Sequence, residues 1–347
     1  MSFDCKEFLH KFTNIRAVSG HEESVQEALQ SWLSPFTTES IERDLMGSLW
    51  ADLNPSADKR ILLECHADEV GFIVRYIGED GLLFIQPVGT QSLDVAVAQR
   101  VVIGNERGNV MGVVGTKPRH LLREAELVNK PGITQIWVDI GARNAREAEE
   151  KVALGDPVSL VSEYTELIGN RISAPALDNR AGMCAVASIF ASPLVQKSGL
   201  GVRLLSSVQE EVGCRGAYSA IYGFKPDVAL IFDVCHTSDT PGIDERLLGR
   251  VALGRGPVLV SGPNVSRSIF LALKNTAERL GIDYQVVSSA GVTSTDAEAI
   301  QIANGGVAVG IVAIPIRYMH TPNEILELTD LEGAIKICES FVEHFDA

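Results

Sequence analysis

The chain has 347 residues, of which 46% are hydrophobic and 22% are charged. This length exceeds what one small core needs and is typical of one large soluble domain or of two domains. The formal net charge of −15 argues against nucleic acid or an anionic membrane surface as a partner.

The N-terminal residues show no basic segment followed by an apolar segment, so we expect no signal peptide. The most apolar stretch, residues 305–316, contains glycines and a proline and is too short to span a bilayer. The six cysteines are scattered without a Cys-x-x-Cys spacing, which is typical of reduced thiols. These features predict a cytoplasmic protein.

The N-terminal part of the chain predicts two helices followed by two strands. The first helix is predicted over residues 5–17, and Ser19 and Glu22 have the spacing of a capping box at the start of the second helix. The strands are predicted at residues 48–53 and 60–65. The second of these strands ends at His66.

Short β-rich runs separated by glycine and polar turns occupy residues 70–161, and this spacing predicts a small β-barrel or sandwich. After residue 171 strands and helices alternate, which predicts a mostly parallel sheet covered by helices. We therefore predict an α/β fold with an inserted β-rich domain. The predicted limits are 1–69 plus 166–347 for the α/β domain and 70–165 for the inserted domain.

Polar side chains follow apolar runs at the ends of three predicted parallel strands; they are His66, the pair Glu210 and Glu211, and Asp233. Two further segments deliver Asp178, just before a helix rich in small residues, and His320. Carboxyl ends of parallel strands meet at one edge of an α/β sheet, so we expect these side chains to lie close together. Two imidazoles and several carboxylates suit Zn²⁺, Co²⁺ or Mn²⁺ in an open catalytic site.

Each of these residues also has a purely structural interpretation. A Glu-Glu pair can lie in a solvated loop, a single histidine can be satisfied within a core, and an aspartate before a helix is commonly an N-cap. The occurrence of all these placements together favours the metal site. Asp68, two residues after His66, is placed to accept the second ring N–H of that histidine.

Several segments, in this order along the chain, resemble the dinuclear-metal tetrahedral aminopeptidases, a peptidase family that includes glutamyl aminopeptidase and deblocking aminopeptidases. The segments are His66-Ala67-Asp68-Glu69-Val70-Gly71, Gln99-Arg100-Val101, Gly115-Thr116-Lys117-Pro118, Val138-Asp139, Ala176-Leu177-Asp178-Asn179-Arg180-Ala181-Gly182, Val208-Gln209-Glu210-Glu211-Val212-Gly213, Phe232-Asp233 and Arg317-Tyr318-Met319-His320-Thr321-Pro322. The resemblance runs nearly end to end. It implies a phosphorylase/hydrolase-like zinc-peptidase sheet covered by helices, with an inserted PDZ-like β-barrel domain for dimerisation or as a lid.

The resemblance implies two divalent metal ions per subunit, with zinc as the expected metal and cobalt or manganese as alternatives. His66 and Asp233 would hold one ion. Glu211 and His320 would hold the other, and Asp178 would bridge both ions.

The resemblance also implies roles for residues that do not bind metal. Glu210 would take a proton from a metal-activated water and pass it to the leaving amine, with Asp68 as a second catalytic residue. The chain departs from the family at Asn179, where a second aspartate is usual and the preceding peptide bond is commonly cis. Asp296, with a helix N-cap as its alternative, and His120 are candidates for substrate binding.

We predict a metal-dependent aminopeptidase that removes N-terminal residues from short peptides and forms a homo-oligomer, for which the resemblance implies a tetrahedral dodecamer. A metal-dependent deacylase of N-acyl amino acids would use the same metal geometry, and a non-catalytic scaffold is a third alternative. A glycosidase is disfavoured because the carboxylates are committed to metal. Three basic groups are candidates for selecting an acidic substrate side chain, namely Arg180, Arg215 and Lys117.

Overall fold

The computed structural model describes residues 3–122 and 132–345, which group into two compact units. Within these ranges the first unit contains residues up to 68, residues 163–319 and the residues from 323 onward. The second unit contains residues 69–162, apart from the gap, and residues 320–322. In the described part of the chain, no helix is long and apolar enough to cross a membrane.

The α-helices in chain order are α1 (Cys5–Phe12), α2 (Glu23–Leu33), α3 (Ala145–Glu149), α4 (Leu177–Ala191), α5 (Pro193–Gln196), α6 (Arg215–Ala220), α7 (Glu245–Leu248), α8 (Arg267–Leu280), α9 (Ala297–Ile302) and α10 (Leu328–Glu343). Short 3-10 helices lie at Ser34–Phe36, Leu93–Val95, Arg119–Leu121, Ile133–Gln135 and Ala303–Gly305.

The strands of the first unit are β1 (Glu42–Arg43), β2 (Leu49–Leu53), β3 (Arg60–His66), β10 (Thr165–Glu166), β11 (Arg171–Ala174), β12 (Gly201–Ser207), β13 (Val228–His236), β14 (Val258–Ser261), β15 (Gln285–Ser288), β16 (Ala308–Arg317) and β17 (Glu324–Glu327). Those of the second unit are β4 (Gly71–Ile77), β5 (Leu83–Val88), β6 (Arg100–Asn105), β7 (Gly108–Thr116), β8 (Ile136–Asp139) and β9 (Pro157–Leu160).

The strands of the first unit form one mixed sheet in the order β1-β2-β12-β3-β13-β16-β17-β11-β10, with β14 paired to β16 and β15 paired to β14. Its centre is parallel, because β12, β3, β13 and β16 run in the same direction. These central strands are buried along nearly their whole length. Parallel strands covered on both faces are expected to be mostly apolar in sequence, and these four are, apart from single polar residues such as Glu64 and Asp233.

Two apolar clusters cover the two faces of this sheet. Ile61 and Leu63 of β3 pack into one cluster with α1, α2, α4, α8 and α10. Leu62 points the other way and packs into the second cluster with α6 and α9. The predicted helix-covered α/β sheet is therefore confirmed.

Helix α4 packs against β13 at close range because its inward residues are small. A Cβ atom added at Gly182 would lie 2.8 Å from the carbonyl oxygen of Phe232 and 2.2 Å from Asn179 Oδ1. Glycine is therefore required at this position by space rather than by backbone conformation.

The second unit contains a closed barrel with the strand order β4-β5-β8-β7-β6-β9, and all neighbouring strands are antiparallel. Its interior is filled by fully buried side chains, among them Phe72, Val101 and Val138. The predicted small β-barrel is confirmed.

Replacing Gly182 by alanine should lower the free energy of unfolding by about 1–3 kcal/mol, because overpacking forces the helix away from the strand. Differential scanning calorimetry measures the change. The matched control is Gly291→Ala, since nothing lies within 4 Å of a Cβ at Gly291. Equal thermal stability of the two variants would contradict the close packing of α4.

Candidate metal centre

The carboxyl ends of the central strands bring His66 and Asp233 together. His66 is the last residue of β3, and its backbone pairs in parallel register with Ser207, the last residue of β12. Asp233 lies two residues beyond Ile231, which pairs with Glu64 of β3. Adjacent parallel strands thus place the imidazole and the carboxylate at the same edge of the sheet.

His66, Asp178 and Asp233 form a buried group whose donor atoms all lie within 4.8 Å of one another. His66 Nε2 lies 3.2 Å from Asp178 Oδ1 and 3.7 Å from Asp233 Oδ1. The three residues are only 2%, 6% and 6% exposed, respectively. One imidazole nitrogen and two carboxylate oxygens in such a group fit a divalent cation such as zinc, cobalt or manganese.

The close approach of His66, Asp178 and Asp233 affects the pKa values of His66 and Asp233. Burial lowers the pKa of His66, but hydrogen bonds with Asp178, Asp233 and Asp68 outweigh burial and carry it well above its ordinary value. Burial raises the pKa of Asp233, and the neighbouring Asp178 charge acts in the same direction. A bound cation would take the place of the His66 proton as the positive charge beside the carboxylates of Asp178 and Asp233.

Asp178 reaches the group from the start of α4, where the backbone is not yet helical. Asp178 and Asn179 have non-helical dihedral angles, and the peptide bond between them is cis, as the resemblance implies. The backbone N–H of Asp178 donates to Glu324 Oε2 at 3.0 Å. Asn179 Nδ2 donates to the carbonyl of Phe232 at 2.8 Å, and Oδ1 accepts from the N–H of Gly182 at 2.9 Å.

Asp68 holds the turn that carries the two glutamates. Its Oδ1 accepts from the N–H of Glu210 at 2.9 Å, and its Oδ2 accepts from the N–H of Glu211 at 3.1 Å and from Ser19 Oγ at 2.6 Å. Burial opposes ionisation of Asp68, but the hydrogen bonds with His66, Ser19 and the Glu210 N–H hold its pKa below its ordinary value.

The geometry at Asp68 differs from the expectation that its carboxylate is the main acceptor for His66. The nearest acceptor of His66 Nδ1 is the backbone carbonyl of Asp68, at 3.1 Å, whereas Oδ1 lies at 3.5 Å. The reason is that the carboxylate is already committed to the turn after β12. Asp68 therefore faces the imidazole with both its backbone carbonyl and its carboxylate.

Glu210 is buried and lies among other acidic groups. Burial raises its pKa to about 10, and the charges of Asp233, Asp296 and Glu211 add to this effect, whereas the charge of His66 opposes it. The carboxylate of Glu210 therefore has a high affinity for a proton. Glu211 is half-buried in the same turn.

Asp296 does not cap the helix that follows it. It precedes α9, but no side-chain hydrogen bond caps that helix, and the carboxylate instead contacts Ser207 Oγ. Its donor atom groups with those of Glu210 and Cys214 within 4.8 Å. Asp296 therefore stands at the N-cap position of α9 without making a side-chain capping bond, and Thr295 Oγ1 accepts from the N–H of Ala297 at 3.3 Å.

Glu64 is a buried acidic residue that the sequence analysis missed. It is 1% exposed, and its Oε1 accepts from Ser207 Oγ at 2.9 Å. Burial and the nearby Asp296 raise its pKa well above the ordinary value. In the sequence, Glu64 is recognisable as a charged residue inside the apolar run of β3.

The remaining histidine candidates lie in the second unit. His320 Nδ1 lies 2.7 Å from Thr90 Oγ1, and the carbonyl of His320 accepts from Gln91 Nε2 at 3.1 Å. His120 is exposed in the 3-10 helix Arg119–Leu121.

Arg180 is wrong as a candidate for selecting an acidic substrate side chain. It is fully buried, and its guanidinium donates to the carbonyls of Phe12, Ala67 and Ile15 at 3.2, 2.6 and 3.2 Å. These bonds make it a structural residue. Arg215 and Lys117 are exposed.

Comparison with known proteins agrees with this geometry. A family model described as M42 glutamyl aminopeptidase matches residues 47–337. Lysyl aminopeptidase of Pyrococcus furiosus is 32% identical over 97% of this chain and 96% of its own length. A putative aminopeptidase of Acetivibrio thermocellus is 34% identical over 96% of this chain and 97% of its own length.

Solved structures show the same similarity. Aminopeptidase APDkam598 from Desulfurococcus kamchatkensis has a TM-score of 0.90 and 31% identity, covering 98% of this chain and 95% of that one. The Pyrococcus horikoshii TET1 peptidase, described as assembling into a tetrahedron or a large octahedral shell, has a TM-score of 0.88 and 29% identity, covering 99% and 100% of the two chains. The predicted family and the predicted aminopeptidase activity are confirmed, and the chain belongs to the M42 glutamyl aminopeptidase family.

Proposed function

We propose that this metal-dependent aminopeptidase removes N-terminal residues from short peptides at a site with two divalent ions, which we expect to be zinc. The observation that carries this proposal is the buried group of His66, Asp178 and Asp233. His66 and Asp233 would hold the first ion. Glu211 and His320 would hold the second ion, and Asp178 would be a ligand of both.

The proposed chemistry depends on Glu210 as the general base. Bound divalent ions would supply a water of lowered pKa, polarise the scissile carbonyl and favour the ionised form of nearby carboxylates. The Glu210 carboxylate would accept a proton from the attacking water and donate it to the leaving amine. Without bound ions, burial among acidic groups raises the pKa of Glu210 to about 10. The positive charge of bound ions would lower it and leave the carboxylate able to accept a proton.

The same acidic surroundings suit the N-terminus of a peptide. The four carboxylates of Asp178, Asp233, Glu210 and Glu211 would offset the charge of two divalent ions, so the loaded site would accept a substrate's free α-ammonium. An acylated N-terminus lacks that charge. This difference favours the aminopeptidase over the deacylase alternative.

Further parts of the proposal concern substrate and assembly. Asp296 lines the substrate pocket beside Glu210, and its burial with that residue supports this role. His120 contributes to substrate binding, and residues 70–165 form a dimerisation or lid domain.

The protein is a cytoplasmic homo-oligomer, and a solved Pyrococcus horikoshii relative described as a dodecamer supports a tetrahedral dodecamer.

The purified protein, after addition of Zn²⁺, Co²⁺ or Mn²⁺, should release free amino acids from unblocked peptides and not from N-acetylated peptides of the same sequence. Removal of the metal with a chelator should abolish the release. Amino-acid analysis of the reaction measures both. Hydrolysis of the acetylated peptides alone would contradict the aminopeptidase proposal and support a deacylase.

The Glu210→Gln variant should lose about 10²–10⁴-fold in kcat, because it keeps the shape of the side chain and removes the proton acceptor. Its metal content should stay at the wild-type level, as measured by elemental analysis. The control Glu332→Gln changes an exposed glutamate on α10 and should leave kcat unchanged. A Glu210→Gln protein with normal metal content and full activity would show that another group is the base.

A further inference from the structure

Two buried carboxylates hold the turn that carries Glu210, and only one of them has a role in the proposed site. Three successive backbone N–H groups of the turn donate to them. Gln209 N–H donates to Glu22 Oε1 at 3.1 Å, Glu210 N–H to Asp68 Oδ1 at 2.9 Å, and Glu211 N–H to Asp68 Oδ2 at 3.1 Å. Glu22 and Gln209 are 187 residues apart in the sequence.

Glu22 is fixed at the start of α2 by contacts on several sides. It is 4% exposed, and its Oε1 also accepts from the N–H of Gly20 at 2.8 Å. One turn further along α2, Gln26 Nε2 donates to the carbonyl of Ser206 at 2.9 Å. The beginning of α2 is therefore tied to the end of β12 as well as to the turn that follows it.

The predicted capping box of Ser19 and Glu22 is wrong, since both side chains are directed to the catalytic turn. Ser19 Oγ donates to Asp68 Oδ2 at 2.6 Å instead of accepting from a helix N–H. The Glu22 carboxylate accepts from the N–H of Gln209. It also accepts from the N–H of Gly20, whereas a capping box would require the N–H of Ser19. A charged, buried acceptor is a stronger partner for a serine hydroxyl than a helix-end amide.

The turn needs such restraint because its backbone is unfavourable. Gln209 has a φ of +58°, a left-handed conformation that non-glycine residues rarely adopt. The turn also packs tightly on the start of α6, where a Cβ at Gly216 would lie 2.4 Å from the Val208 backbone nitrogen and oxygen. The carbonyl of Gln209 accepts from the N–H of Arg215 at 3.2 Å, and Glu22 accepts from its N–H, so both backbone polar groups of the residue before Glu210 are bonded.

We infer that Glu22 is a positioning residue for the reaction, which fixes the backbone of Gln209 and thereby the direction of the Glu210 side chain. This inference rests on the proposed role of Glu210 as the base. Glu22 belongs to neither the proposed metal ligands nor the groups that touch substrate. Its effect on the reaction passes through the backbone bond to Gln209.

The side-chain chemistry of Glu22 suggests a conservative variant. Burial raises the pKa of Glu22 to about 7, with the charge of Asp68 adding to it, so an uncharged form of the side chain is compatible with its surroundings. Glutamine keeps an acceptor oxygen at the same distance along the side chain. Alanine removes the acceptor, and aspartate shortens the side chain by one methylene while keeping the charge.

The test compares kcat, KM, metal content and melting temperature of zinc-loaded Glu22→Ala, Glu22→Asp and Glu22→Gln proteins. Glu22→Ala and Glu22→Asp should lose about 10–10²-fold in kcat with little change in KM or metal content, because a small misplacement of a catalytic group has this effect. Glu22→Gln should retain most of the activity. The control is Glu23→Ala, which changes the exposed neighbouring residue and should not affect kcat.

A double variant separates positioning from a general effect on folding. In the Glu210→Gln background, Glu22→Asp should cause little further loss of kcat, because the group that it positions is already absent. A merely structural role would give the same loss in both backgrounds. That result, or a Glu22→Asp protein with wild-type kcat and a lower melting temperature, would overturn the inference.

The same series distinguishes this inference from the proposed function. Full activity of Glu210→Gln would remove Glu210 as the base and, with it, the reaction that Glu22 is inferred to support. Loss of activity in Glu210→Gln together with wild-type kcat in Glu22→Ala and Glu22→Asp would overturn only the role of Glu22.

Discussion

The carboxylate of Asp68 is the contact on which the geometry of the site depends. It is fully buried, and a buried carboxylate is tolerated only when hydrogen bonds replace its hydration. Here the N–H groups of Glu210 and Glu211 and the hydroxyl of Ser19 supply those bonds. Because the backbone carbonyl of the same residue faces His66 Nδ1, one residue fixes both the imidazole proposed to bind metal and the turn that carries Glu210.

The sequence was sufficient to predict the sheet and the convergence of strand ends. Buried parallel strands are recognisable as continuous apolar runs, and a polar residue that interrupts such a run marks the strand end. This pattern located His66 and Asp233, whose Nε2 and Oδ1 atoms lie 3.7 Å apart. Asp178 was recognisable by its place before a helix rich in small residues. The barrel was predictable for a similar reason, since short strands with regular turns leave few other arrangements.

Contacts between distant segments were not predictable from local patterns. Ser19 and Glu22 have the spacing of a capping box, but their partners are 49 and 187 residues away in sequence. Glu64 lies inside an apolar run, and the run alone does not reveal which buried groups surround it. Arg180 shows the same limit, because a sequence does not tell whether an arginine faces substrate or three backbone carbonyls.

Asn179 has a consequence for the charge of the centre. Its amide donates to the carbonyl of Phe232 and accepts from the N–H of Gly182, and only a neutral side chain with both kinds of group makes both bonds. An ionised aspartate would face the carbonyl oxygen with a second negative charge next to Asp178. These two bonds therefore do not depend on pH, and the amide leaves Asp178 as the acidic residue that the segment 178–182 would bring to bound ions.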